Sequence, residues 1–308
     1  MLVRVKNGKG MLAGKVYLID QGRRRWLRDI NILSTLGNKP GYRWPEDIQE
    51  ITEQEALNYP YGAPTPIILD PKMKKMNRDM NFMRQFITQG LTGKGVEFGA
   101  AANPLPIPLG TKILYADLFN KEQLESELYS TSLFEYVPTD IHTNFDKMEG
   151  IKNSSLDFII ASHVIEHVRD PIGAMNTAWD KLKKGGELVL IVPKRERTLD
   201  KTRPATQLEH LVEDNKSPSR YRDALHVVEF YAHTNKIKDL KKVYDLAIKS
   251  ITDDQHSMHY HVWNEHEFNK VIKYINSTKK KWKYILKEKA LPGKENYEFY
   301  IKLRKVGE

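Results

Sequence analysis

The residues most able to do chemistry lie in one stretch, Leu156-Asp157-Phe158-Ile159-Ile160-Ala161-Ser162-His163-Val164-Ile165-Glu166-His167-Val168. Two imidazoles and a carboxylate this close can move a proton near neutral pH or ligate a metal. The spacing His163-x-x-Glu166-His167 matches an inverted zinc-protease motif. That chemistry needs both histidines on one helical face, the glutamate as base and a further ligand downstream. Here an apolar, β-branched run leads straight into the motif, and the helix start signal Asp170-Pro171 comes after it. The motif therefore belongs at a strand end and in the loop beyond, and no zinc is expected. A second group, His256, His259 and His261 with Asp253 and Asp254, could hold a metal. Substrate-contacting or structural histidines are the expected reading, so no metal is assigned.

Three carboxylates close other apolar runs. Glu97 leads into Phe98-Gly99-Ala100-Ala101-Ala102-Asn103-Pro104, a turn of small residues that lets a ligand approach the backbone. Ala101 permits close approach, and Asn103 tolerates positive φ. Asp117 follows 20 residues after Glu97, a spacing that suits a carboxylate accepting hydrogen bonds from ribose hydroxyls, with helix capping as its bland role. Asp140 ends a third run and could meet an adenine amine, with Asp146 as its rival.

These positions need a scaffold that brings strand ends together, and the chain from Asn77 onward alternates helices and strands at short intervals. The spacing of Met80, Met83, Phe86, Ile87 and Leu91 predicts a helix with a core-facing stripe. GKGVEFG, TKILYADLF, FEYVPTD, SLDFIIASH and GELVLIVP predict five strands. Asn120 with Gln123 and Asn264 with Glu267 predict capping boxes. Asp170 and Pro171 open the helix PIGAMNTAWDKLKK, which Gly185 should close. KWKYILKEKAL and YEFYIKLRKV, joined by PGKEN, predict a terminal hairpin. Short alternation of this kind means a parallel sheet with ligands beyond the carboxyl ends of its strands. Residues 1–66 differ: KVYLID and RWL predict strands around the turn QGRR, and Asp29 begins a short helix stopped by Gly37. We expect a small β-rich accessory module over 1–66, a linker over 67–77, a main domain over 78–308, and an acceptor-side insertion over 194–263.

The run Val96–Pro193 resembles class I S-adenosylmethionine (SAM)-dependent methyltransferases, through the Glu97–Gly99 turn, Asp117, the Asp157–His167 stretch and Leu182-Lys183-Lys184-Gly185-Gly186 before the fifth strand. Only Gly99 remains of the three glycines usual in such turns. The resemblance implies an α/β, Rossmann-like seven-stranded sheet with a terminal antiparallel hairpin. It implies SAM as cofactor, with Glu97, Gly99, Ala101, Asn103, Asp117, Asp140 and Ser162 as binding residues. It also implies His167 as general base, with Glu166 orienting it or contacting substrate and His163 beside them. The later segment resembles a branch encoded beside glycosyltransferases, which implies a glycan or nucleotide-linked sugar acceptor held by Glu209, His210, Asp214, Arg222, His259 and His261, and a glycosyltransferase as possible partner.

The 308 residues carry a net charge of +9 and no cysteine. Disulfides, thiolate metal sites and cysteine catalysis are excluded. No apolar run approaches the roughly 20 residues of a membrane span, and the N-terminus reads as no signal peptide, so a cytoplasmic protein is expected. The positive charge, with Arg23, Arg24, Arg25 and Arg28 early and Lys279, Lys280, Lys281 and Lys283 late, is read as two solvated faces. It keeps an RNA methyltransferase in view as an alternative on charge alone. A non-catalytic scaffold on this fold is the other alternative.

Overall fold

The first strands pair as their alternation dictates. In the computed structural model, β1 (Leu2–Val5), β2 (Val16–Asp20), β3 (Arg23–Trp26) and β4 (Ile48–Ile51) form a sheet of order β3-β2-β1-β4. Gln21 and Gly22 both take positive φ, which suits the tight turn joining β2 to β3. β1 and β4 were not expected from the sequence. Thr52 and Glu55 make a reciprocal capping box that opens helix α1 (Glu53–Leu57). The structure describes residues 1–7, 10–28, 33, 43–66, 80–124, 126, 135–234, 237–252, 258–288 and 297–307. The expected linker, most of the short helix after Asp29, the PGKEN turn, and Asp253, Asp254 and His256 lie outside the described residues. The chain divides into two units, Met1–His142 and Thr143–Glu308.

The early arginines are a correction to the sequence reading. Arg24 and Arg25 are 1% and 3% exposed, so they make no solvated face. Arg25 donates to Asp20 Oδ2 at 2.7 Å and to the carbonyls of Ala63 at 2.9 Å and Ile107 at 2.5 Å. Arg24 pairs with Glu135, and Arg23 with Asp140. Each guanidinium offers five fixed donors, and here they fasten the first sheet to the segments that follow in the same unit. Of the late lysines, Lys279, Lys281 and Lys283 are exposed as expected, whereas Lys280 is half-buried, pairs with Asp180 and lies over the Trp179 ring.

A second sheet of seven strands has the order β5-β6-β7 within the first unit and β10-β11-β9-β8 within the second. In the first unit, helix α2 (Met80–Thr88) precedes β5 (Lys94–Phe98), and Met83, Ile87 and Leu91 are buried as their spacing predicts. β6 (Lys112–Asp117) and the short β7 (Ile141–His142) run parallel to β5 and to each other in turn. The Asn120–Gln123 box forms and opens α3 (Lys121–Gln123). The third strand expected over FEYVPTD does not form over its described residues 135–140; the strand in that place is the two-residue β7 just beyond. Pro138 has no N–H to give a ladder, and Val137 and Asp140 donate singly to Ala101 and Tyr115 carbonyls instead.

In the second unit, β8 (Leu156–Ser162) pairs in parallel with β9 (Leu182–Pro193). β11 (Glu298–Val306) inserts antiparallel between β9 and β10 (Lys281–Glu288), the expected terminal hairpin. Asp170 caps helix α4 (Pro171–Lys181) by accepting from Gly173 N–H at 2.8 Å. The helix ends at Lys181, not at Gly185, because Leu182 is already extended and paired with Leu156. Gly185, at φ 80°, serves an irregularity at the start of the strand pairing instead. The insertion contributes α5 (Leu208–Lys216), α6 (Arg220–Glu229) and α7 (Leu240–Thr252), followed by α8 (Glu265–Asn276), which Asn264 caps. Among the described residues no helix is long and apolar enough to cross a membrane.

Replacing Arg25 by alanine would leave the buried carbonyls of Ala63 and Ile107 without this donor and take from Asp20 its charged donor, leaving it the Gly110 N–H. The expected cost is about 3–5 kcal/mol of stability, read as a lowered urea midpoint at unchanged slope.

Candidate active site

The first unit carries the carboxylates expected at strand ends. Glu97, near the end of β5, is wholly buried. Its Oε1 accepts from Leu105 N–H at 3.0 Å, which spans the small-residue turn, while Oε2 has no hydrogen-bond partner. Burial pushes its pKa up to about 8, against the pull of the Leu105 bond. Gly99 and Ala101 take positive φ, at 66° and 45°, and Asn103 does not. The left-handed positions thus fall on the glycine and on one of its alanine replacements. Asp117 ends β6 and accepts from Phe119 N–H at 3.1 Å, and desolvation raises its pKa. Asp140 stands just before β7, where its carboxylate accepts from Tyr115 N–H at 2.8 Å and from Arg23 at 2.5 Å.

In the second unit, Ser162 closes β8 and His163 follows at φ 54°. Residues Ile165–His167 form one turn of 3₁₀ helix. The His-x-x-Glu-His motif therefore lies at a strand end and in its loop, as the sequence reading held. His163 Nε2 lies 2.8 Å from Glu298 Oε2, and its Nδ1 lies 3.6 Å from Glu166 Oε1. Glu166 is 1% exposed, and neither of its carboxylate oxygens makes a hydrogen bond. His167 Nδ1 donates to the Met258 carbonyl at 2.9 Å, which directs Nε2 away from that contact. Its ring meets that of His259 edge to face at 4.8 Å. His259 Nδ1 is 2.6 Å from Asp200 Oδ2, and its Nε2 is 4.0 Å from Glu166 Oε1. Glu166, His167 and His259 thus present three donor atoms that could hold a cation.

The electrostatics separate the two rings. Desolvation by the packing around the ring lowers the pKa of His167, although the residue as a whole is exposed, and Glu166 opposes the shift. Burial also pulls His259 down, but the Asp200 hydrogen bond and the Glu166 charge outweigh it, and the net shift is upward. Burial alone would raise Asp200; the bonds from His259 and Arg203 prevail and hold it at about 2.

The remaining expected residues form a different group. His210, Asp214 and His261 meet one another, with Arg222 donating to Asp214 Oδ1 at 2.6 Å. Glu209 is exposed on α5 and belongs to neither group. The sequence reading missed Asp200, Arg203, His226 and Glu298. Glu298 carried a visible signal, a carboxylate inside the apolar run YEFYIKL. The others had none, since each is defined by partners distant in the chain.

Residues 74–233 match the methyltransferase domain family, just over half of the chain. The chain belongs to this family: it is a class I SAM-dependent methyltransferase, and its cofactor is SAM. Similar solved structures include a SAM-dependent methyltransferase of Thermotoga maritima, 16% identical, covering 75% of this chain and 91% of its own, with a TM-score of 0.40. Another, from Methanosarcina mazei, is 16% identical and covers 78% and 99%, with a TM-score of 0.38. A third, from Aquifex aeolicus, is 12% identical and covers 78% and 100%, also with a TM-score of 0.38. No curated protein matches the chain.

The residues of the first unit fit this cofactor: the buried Glu97 keeps an unpartnered oxygen next to a turn whose backbone is opened by two positive-φ residues. Because the folded pKa of Glu97, about 8, exceeds its ordinary 4.5, its contribution to stability is full below pH 4.5 and falls as pH rises toward 8. Glu97→Gln should remove that slope. Urea unfolding from pH 5 to 8 should show the wild type losing stability relative to the variant by about 1.4 kcal/mol per pH unit at most.

Proposed function

We propose that the enzyme transfers the methyl group of SAM to a hydroxyl of a sugar, a glycan or a nucleotide-linked sugar, with His167 as general base. Bound SAM supplies an electrophilic methyl on a good, neutral leaving group. The chain must then align the acceptor and take up its proton. The observation that carries the reading is the divergent tuning of two adjacent imidazoles. Desolvation lowers His167, so it is neutral and ready to accept a proton at neutral pH, while the Asp200 hydrogen bond and the Glu166 charge raise the pKa of His259. Glu166 is a positioning residue in this scheme, and its two unpartnered oxygens can accept from acceptor hydroxyls. Glu97, Gly99, Ala101 and Asp117 hold the cofactor, with Asp117 on the ribose; Asn103, Asp140 and Ser162 stay in that set by the family resemblance.

The acceptor-side set narrows accordingly. His259 remains a contact candidate, whereas Arg222 and Asp214 are engaged with each other. The RNA alternative loses much of its support, because Arg24 and Arg25 are buried and paired. We retain 1–66 as an accessory module, a cytoplasmic setting, and a glycosyltransferase as the partner that would use the methylated sugar.

Two measurements test the reading. Calorimetric titration should give SAM binding that Asp117→Ala abolishes, with no binding of NAD. His167→Ala should lower kcat by about 10²–10⁴ at unchanged SAM affinity. The wild-type rate should fall on acidification only with an apparent pKa below 6.5, since the base acts when neutral. Turnover of His167→Ala at the wild-type rate would sink the assignment.

A further inference from the structure

Methyl transfer has no use for the second histidine group, yet that group is the more closed of the two. His210 and Asp214 share one face of α5 at i and i+4. His226 comes from α6, and His261 from the segment before α8. Asp214 Oδ2 lies 3.0 Å from His210 Nε2, 3.5 Å from His226 Nε2 and 3.6 Å from His261 Nε2. The Nε2 atoms of His210 and His226 are 3.4 Å apart. All four donor atoms lie within 4.8 Å of one another. A tetrahedral ion with bonds of about 2.0–2.1 Å separates its donors by about 3.4 Å.

We propose that His210, Asp214, His226 and His261 bind a divalent transition-metal ion, with zinc as the cation that three imidazoles and one carboxylate suit best. The surroundings prepare these atoms for that task. His226 Nδ1 donates to the Tyr260 carbonyl at 3.1 Å, which fixes the tautomer and leaves the Nε2 lone pair for the ion. Arg222 occupies Asp214 Oδ1 and orients the carboxylate, so that Oδ2 faces the three rings. That oxygen is buried and makes no hydrogen bond of acceptable geometry. His261 is wholly buried with no hydrogen bond at Nδ1, while its Nε2 lies 3.3 Å from the Arg169 carbonyl. In a metal-free protein His261 Nε2–H donates to that carbonyl; ligation redirects the nitrogen to the ion. His226, Asp214 and His261 are 3%, 4% and 0% exposed, while the His210 side chain is 35% exposed, so the centre is buried on three sides and reached from solvent at His210. It ties α5, α6 and the 258–263 segment into one piece.

The test uses the full chain, purified without chelator and freed of any histidine tag. Elemental analysis should find about one zinc per chain, lost in Asp214→Asn and His226→Ala. Zinc should be retained in Glu166→Gln, which disables the other cation candidate. Strong chelation of the wild type should lower its Tm by on the order of 10 °C. If the two variants fail to fold, cobalt substitution of the wild type decides: four-coordinate cobalt gives intense visible absorption, and its absence overturns the proposal. The proposal also falls if the wild type takes up no zinc from excess zinc chloride, or if zinc leaves with Glu166→Gln and stays in Asp214→Asn. None of these readouts depends on the acceptor or on catalysis.

Discussion

Arg203 is wholly buried, so every donor it carries must find a partner inside the protein. Its Nε donates to Glu229 at 2.9 Å, and its Nη1 to Asp200 at 3.0 Å and the His259 carbonyl at 2.8 Å. Its Nη2 takes the Tyr260 carbonyl at 3.0 Å. One guanidinium thereby joins the turn at Asp200, the end of α6 and the segment carrying His259. The geometry of the histidine site rests on that clamp. Asp200, held ionised, fixes His259, and the neighbouring Met258 carbonyl fixes His167. Without the arginine, Asp200 would be a buried carboxylate with His259 and the Thr234 hydroxyl as its remaining partners.

From this clamp a run of acidic and basic side chains passes through the second unit. Glu229, Arg203, Asp200, His259, Glu166, His163 and Glu298 follow one another, and Tyr300 donates to Glu298 at the far end. Such a chain is felt as a whole, because Arg203, Asp200, Glu166 and Glu298 are buried in a low dielectric where an unpaired neighbour is costly. His167 stands beside the chain, bonded through Nδ1 to a backbone carbonyl. Desolvation therefore prevails at His167, whereas the Asp200 hydrogen bond and the Glu166 charge outweigh it at His259, so adjacent imidazoles shift in opposite directions.

The positive net charge has a similarly internal explanation at the N-terminus. Three successive arginines on β3 read from the sequence as a surface. In the fold, two of them are buried among carboxylates and carbonyls, where a planar five-donor head joins strands to loops. A count of charges cannot distinguish a fastening of this kind from a binding face, whereas Lys279, Lys281 and Lys283 are exposed and keep the ordinary solvated role.

Much of the scaffold was legible in the chain. The period of the apolar residues placed β5, β6, β8, the core of β9 and the terminal hairpin, and caps at Asn120, Asp170 and Asn264 marked helix starts, because both signals are local. Boundaries went astray where tertiary pairing overrode the local sign. Leu182 left its helix to pair with β8, and Pro138 kept FEYVPTD out of the ladder. The His163–His167 motif was placed at the right strand end, but its meaning was not local. His163 meets Glu298 across 135 residues, and His167 meets Met258 across 91. The sequence by itself determined which residues could do chemistry and which element ends would carry them. Only the tertiary structure decided which carboxylate faces which imidazole, and so which ring is raised in pKa and which is lowered, because a pKa is set by burial and by neighbours that chain topology brings from far away.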